Sequence, residues 1–215
     1  MLQPYRTVKQ FGSTAWEINK SRFITYVQRV STEEDAAEFI TQIKKRHWDA
    51  THNCSAYVVG DLGQYQKADD DGEPAGTAGK PILEVIKRLE LKDVVIVVTR
   101  YFGGIKLGAG GLIRAYGRAA ALGIEAAGVV ERVPHREMSL LIDYMLLGKV
   151  ENELRTGGYR IAAINYLENV GINVLVPVGQ EDAFTTKVKD WTAGQANIEL
   201  LGWQYVDIPV NGQPE

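Results

Sequence analysis

Cys54 is the single cysteine in 215 residues. No intrachain disulfide can form, and the chain suits a reducing compartment, which predicts a cytoplasmic location. Histidine is almost as scarce, with three in all. His47 and the run Thr51-His52-Asn53-Cys54 form the His/Cys cluster, while His135 is remote. That is too few ligands for zinc. A Cys/His nucleophile pair is weak on similar grounds, because sequence neighbours at a strand start rarely reach the required geometry. No Ser/His/Asp signature is visible, so an enzyme is the less favoured reading. No apolar run is long enough to cross a bilayer; the best candidate, residues 94–98, is strand-length. The first ten residues are polar and no apolar segment follows them, which predicts no signal peptide and no membrane partner. The last absence is local: between residues 94 and 124 there is no acid, yet the stretch carries Arg100, Lys106, Arg114 and Arg118.

Hydrophobic residues make up 45% and charged residues 24%, enough apolar material for a packed core rather than disorder. The net charge of −3 is unevenly distributed. Residues 1–136 hold 19 Lys and Arg against 16 Asp and Glu, or +3, and residues 137–215 hold 5 against 11, or −6. A nucleic-acid surface would therefore lie in the first half.

Residues 16–30 alternate loosely and read as a strand or hairpin. Ser31-Thr32-Glu33-Glu34 reads as a helix start, with Ala36, Phe39, Ile40 and Ile43 at helical spacing and Lys44, Lys45 and Arg46 closing it. Residues 54–59 form a short strand and residues 61–79 a loop. Pro81 opens a helix. Residues 94–98 are a buried strand, residues 103–111 a glycine-rich turn, and residues 112–127 a helix of small residues suited to close packing on a sheet. Arg132-Val133-Pro134-His135 reads as a linker. Beyond it, strand, helix, strand, strand, helix and strand follow over residues 137–206, the ferredoxin-like βαββαβ order. The expected fold class is α+β with two domains, residues 1–133 and 134–215.

Two segments carry candidate chemistry. Asp69-Asp70-Asp71-Gly72-Glu73-Pro74-Ala75-Gly76-Thr77-Ala78-Gly79-Lys80-Pro81 fails as a phosphate-binding P-loop. Pro74 stands where the first glycine belongs, and Pro81 replaces the Mg²⁺-binding hydroxyl. The loop is either a turn leading into the helix or a presentation of carboxylates to a divalent cation. The segment from Thr99 to Arg118 is strand, glycine-rich loop, then helix. Backbone N–H groups at such a helix start can hold an anion, and Arg114 and Arg118 share a helix face. Tyr101, Phe102 and Tyr116 interleave with the cations, as phosphate contact and base stacking require. Phe102 is expected in the core, and Arg100, Lys106 and Arg114 at the surface. No GxGxxG can be aligned, which removes a dinucleotide-binding reading.

Thr51-His52-Asn53-Cys54-Ser55-Ala56-Tyr57, the loop from Asp70 to Pro81 and the block from Thr99 to Tyr116 together resemble the three signature motifs of the IMPACT family, in its bacterial YigZ-type form. The resemblance covers residues 16–130, and the remainder is similar to the second domain of bacterial members. It implies a first domain similar to domain 2 of ribosomal protein S5 and a ferredoxin-like second domain. The pair is similar to the last two domains of elongation factor G, which touch the ribosome. Eukaryotic relatives are implicated in translational control through a different N-terminal domain, absent from this sequence, so kinase inhibition does not carry over.

The expectation that follows is a translation-associated protein binding RNA, the ribosome or a translation factor. Its candidate site residues are Arg100, Tyr101, Lys106, Arg114, Arg118, Lys80 and His52, beside an acidic loop of Asp70, Asp71 and Glu73. No cofactor is expected, with Mg²⁺ at the acidic loop as the alternative. That loop either pairs with the cations and masks them or recruits Mg²⁺ to bridge to phosphate. The rival functions are a phosphate-binding enzyme, since the S5-like fold also serves small-molecule kinases, and a protein-interaction module whose partner meets the acidic second half.

Overall fold

In the structure, a computed structural model describing residues 2–210, the chain separates into two compact units whose bodies are Tyr5–Glu131 and Arg132–Val206. The first begins with β1 (Tyr5–Val8), β2 (Gly12–Ile18) and β3 (Ser21–Arg29). β2 and β3 form an antiparallel hairpin. Its turn holds Asn19 at φ 45° and Lys20 at φ 61°, the left-handed pair that matches the twist of the strands. Helix α1 (Glu33–Arg46) is capped by Thr32, whose side chain accepts from the Asp35 N–H while the Asp35 carboxylate accepts from the Thr32 N–H. This reciprocal capping box satisfies two N–H groups that the helix cannot.

There follow β4 (His52–Val59), β5 (Tyr65–Asp69), α2 (Gly79–Arg88), β6 (Val94–Tyr101) and α3 (Gly108–Ala127). The sheet order is β2-β3-β6-β4-β5, and every neighbouring pair is antiparallel. The unbroken apolar run of β6 has a direct cause: both sheet faces are covered. Val94, Ile96 and Val98 pack with α2 and α3, while Val95 and Val97 pack with Phe39 and Ile43 of α1.

The sequence expectation differs from this unit in three places. The expected loop over residues 61–79 contains β5, whose side chains are exposed except for Asp69 at its end. A strand with so little buried has no apolar alternation to read; it is held by backbone pairing with β4. The glycine-rich turn ends sooner than expected, because α3 takes in Gly108, Gly110 and Gly111, residues that carry no helical preference. Phe102, expected in the core, is 46% exposed.

The second unit contains most of β7 (Val129–Ile142), then α4 (Tyr144–Thr156), β8 (Arg160–Tyr166), β9 (Val170–Pro177), α5 (Glu181–Thr192) and β10 (Asn197–Pro209). β9 pairs antiparallel with both β7 and β8, and β10 pairs with β7. The order β10-β7-β9-β8 is the ferredoxin-like one. Its core joins Met138, Leu140, Ile142, Ile172 and Val174 of the sheet to Leu154 of α4 and Phe184 and Val188 of α5. Arg132-Val133-Pro134-His135, expected as a linker, lies inside β7. The Pro134 carbonyl accepts from the Val178 N–H, but the residue has no N–H to return the bond, and it stands at the end of the β7–β9 ladder, which begins at the pair His135 and Pro177.

The small residues of α3 do pack closely on the sheet. A Cβ added at Gly123 would lie 2.3 Å from Thr25 Cγ2 and 2.9 Å from Val27 Cγ2. Gly123→Ala is therefore expected to destabilise the protein by about 1–3 kcal/mol, the cost of overpacking, although alanine is the better helix former. Urea unfolding measures this; a variant more stable than the parent would show that the α3–β3 contact relaxes freely.

Candidate functional site

Strand alternation decides where the signature residues go. On β6, Arg100 follows Ile96 and Val98 onto the α2/α3 face, and Tyr101 falls on the α1 face. On β4, His52 and Cys54 share the α2/α3 face. The three motifs meet there around Glu73. One Glu73 carboxylate oxygen accepts from Arg100 Nη1 at 2.6 Å and from Tyr116 Oη at 2.8 Å. His52 Nε2 lies 3.9 Å from the other oxygen. Cys54 Sγ is 3.3 Å from Tyr116 Oη and 3.0 Å from the Asp70 carbonyl. Arg100 Nη2 donates to Ser21 Oγ at 3.2 Å, and the guanidinium lies over the Phe23 and Phe102 rings. Glu73 is 8% exposed and Arg100 5%.

This cluster is buried and satisfied within the fold except at Arg100 Nε, a buried donor with no hydrogen-bond partner. Burial pushes the Cys54 thiol up, so it stays protonated and is a poor nucleophile. Burial likewise raises the Tyr116 phenol, and the neighbouring Cys54 and Glu73 add to the effect. What the arrangement accomplishes is to fix the loop between β5 and α2. The neighbouring carboxylates do the same. Asp70 accepts from the backbone N–H groups of Gly76, Ala78 and Gly79. It thereby caps α2, whose N-cap residue Ala78 has no side chain to do so. Burial opposes ionisation of Asp70, but those three N–H groups prevail and hold its carboxyl low. Asp71 accepts from Lys44 Nζ and the Asn53 N–H, which likewise outweigh its burial.

The fixed loop borders a second feature. Between α2 and α3 lies a cavity of about 840 Å³, lined by Gly76 of the loop, by Lys80, Pro81, Glu84, Val85 and Arg88 of α2, and by Ile113, Arg114, Gly117, Arg118 and Ala121 of α3. Its four cations come two from each helix. Among the described residues none of the four is in an ion pair, while Glu84 faces Lys87 at 3.9 Å. The groove is thus positive with an apolar floor, which suits an anionic ligand with some apolar surface.

Of the candidates read from sequence, Lys80, Arg114 and Arg118 come together in this groove. Arg100 does not: it is buried and paired with Glu73, which corrects the expectation that it lies at the surface. Lys106 is exposed on the loop before α3, outside the groove lining. Tyr101 hydrogen-bonds His47 Nδ1 at 2.9 Å and Asp49 at 3.1 Å on the opposite sheet face. His52 bonds the Asp71 carbonyl at 2.8 Å. Sequence reading missed Arg88, although its spacing from Lys80 and Glu84, two helical turns in steps of four, was a usable signal.

An S5-domain-2-like unit followed by a ferredoxin-like unit, with three motifs converging on a buried Glu–Arg–Tyr cluster, defines the class of the protein. The chain belongs to the IMPACT family. Residues 19–124 match the Impact N-terminal domain, and residues 140–195 match a domain described as a domain of unknown function, DUF1949. It is 52% identical to the IMPACT family member YvyE of Bacillus subtilis over 98% of this chain and 97% of that one. It is 36% identical to the IMPACT family member YigZ of Escherichia coli over 86% of this chain and 91% of that one. A solved structure titled as the crystal structure of a hypothetical protein superposes with a TM-score of 0.60 at 32% identity, covering 94% of this chain and 99% of that one. Among the described residues no helix is long and apolar enough to cross a membrane.

Two measurements probe the cluster. Glu73→Ala strands the Arg100 guanidinium without its counter-charge and is expected to cost about 3–5 kcal/mol in urea unfolding; a cost below about 1 kcal/mol would mean water reaches Arg100. Asp70 has a lowered folded pKa. Its contribution to stability is present above about pH 4 and is lost as pH falls through the folded value. Asp70→Asn should therefore flatten the acid limb of the stability profile, and an unchanged limb would contradict the capping role.

Proposed function

We propose that the protein is a translation-associated binding protein that takes RNA phosphates, on free RNA or on the ribosome, at the basic groove between α2 and α3. The observation that supports this most is the set of four cations, Lys80, Arg88, Arg114 and Arg118, lining one cavity with no ion-pair partner among the described residues. In a chain of net charge −3, such a group keeps its full field for an incoming anion. Membership of the IMPACT family supports the link to translation, through the similarity of its two domains to ribosome-contacting domains of an elongation factor. The glycine-rich block read from sequence contributes by folding into the α3 wall of the groove, with Lys106 as an exposed cation nearby.

The test is a salt titration of labelled RNA and of purified ribosomal subunits. Binding is expected at low salt, weakening as salt rises. Arg114→Glu combined with Arg118→Glu should weaken every RNA sequence alike, since phosphate contacts carry no base information. Pull-downs with and without RNase identify which partner is held. No measurable affinity at low salt, or affinity unchanged by the double charge reversal, would end this reading in favour of a protein partner.

A further inference from the structure

Helix α3 holds two interior glycines in contrasting surroundings. Gly123 is required by its neighbours, as shown above. Gly117 is not: a Cβ built there meets no atom within 4 Å. Glycine inside a helix costs stability relative to alanine, and neither packing nor a positive φ accounts for it at this position. Gly117 lines the α2–α3 cavity, flanked in sequence by Tyr116, fully buried, and Arg118, exposed and facing the same cavity. The space that a side chain would fill is thus the groove itself.

We infer that the α2–α3 groove receives a single strand of RNA whose sugar–phosphate backbone passes directly over Gly117. The inference rests on the RNA-binding reading above and names the form of RNA and the point of closest approach. Arg114 and Arg118 lie one helical turn apart, about 6 Å along the axis, and Lys80 and Arg88 lie about 12 Å apart on the facing wall. A strand running along the groove meets cations on both sides, and three of the four are arginines, whose planar fork pairs with phosphate oxygens in a bidentate manner. Between the cations the lining is apolar at Pro81, Val85, Ile113 and Ala121, with one carboxylate, Glu84, between Lys80 and Arg88 and 3.9 Å from Lys87. Ile113 is 45% exposed and gives a base or ribose a surface to rest on. A duplex keeps its bases stacked inside, so it has no free base to lay on Ile113 while its backbone meets the cations of both walls. An unpaired strand, loop or end can enter.

The experiment compares wild type, Gly117→Ala and Gly117→Leu against a labelled single-stranded RNA octamer, the same sequence as a duplex, and polyglutamate as competitor. Melting temperatures are recorded alongside. Gly117→Ala is expected to raise the melting temperature, because nothing is in its way, and to weaken single-strand binding about tenfold. Gly117→Leu should abolish binding while the protein stays folded. With wild type, the single strand should bind more tightly than the duplex, with a log–log salt slope of up to roughly three for four neutralised phosphates. Unchanged single-strand affinity in both Gly117 variants overturns the inference, as does equal affinity for the duplex or competition by polyglutamate at matched charge. If wild type binds RNA but the Gly117 variants are indifferent, the RNA reading stands and the groove assignment falls; if wild type binds no RNA at low salt, both fall.

Discussion

The Glu73 carboxylate, buried between Arg100 and Tyr116, is the contact on which the arrangement of the first unit depends. The three segments it joins are far apart in sequence: the loop after β5, the end of β6 and the third turn of α3. A buried ion pair contributes little net stability, because desolvating two charges roughly offsets their attraction. What it supplies is specificity. With either partner removed the other is left charged in an apolar surround, so alternative placements of the loop are penalised heavily. The Arg100 side chain also lies over two aromatic rings and bonds Ser21. Its position is thereby set by β3, by the loop after β6 and by the acidic loop together.

From that fixed point the groove follows. Glu73 anchors the middle of the acidic loop and Asp70 gathers the N–H groups at its far end, so the first turn of α2 has one position. Lys80 is the second residue of that helix, and its place beside Arg114 and Arg118 is a consequence of carboxylates that never touch the groove. The acidic loop and the basic cavity are therefore two parts of one device. The acids of the loop are occupied within the fold, so Glu84 is the one carboxylate in the groove lining against four cations.

Much of this was legible beforehand. Both faces of β6 are covered, so its continuous run of β-branched residues declared a buried strand. The βαββαβ rhythm of the second unit is plain from the order of its segments and the turns between them, such as Gly157-Gly158 after α4. The motifs gave the family and, through it, the fold. The failures have definite physical causes. β5 buries almost nothing, so composition shows only polarity. Arg132-Val133-Pro134-His135 looks like a linker by composition and is a strand by pairing. Arg100 reads as a surface ligand because it stands among cations and aromatics in an acid-free block. Only the register of β6, which sends residue 100 to the face of Val98 and Ile96, reveals its burial, and only the tertiary fold supplies its partner 27 positions upstream. Arg88 was overlooked because the groove needs two helices, and periodicity along one helix does not report what faces it.

The glycines of α3 show why a motif has to be taken apart position by position. As a group they read as a flexible, glycine-rich stretch. In the structure Gly108 takes φ 69° at the start of the helix, where a side chain would be strained. Gly123 is excluded from bearing a side chain by Thr25 and Val27. Those two are explained within the molecule. Gly117 is not, and local rules broken without an internal reason concentrate where a protein meets something else. The same logic orders the charges. Lys44 is matched by Asp69 and Asp71, and Arg100 by Glu73, so neither offers a field to a ligand. Among the described residues the four cations of the groove share one carboxylate, Glu84, and form no ion pair with it. Their mutual repulsion is a cost to folding that the fold does not recover internally, and a polyanion in the groove would remove it. In both respects the groove between α2 and α3 is the part of this unit that its own interactions leave incomplete.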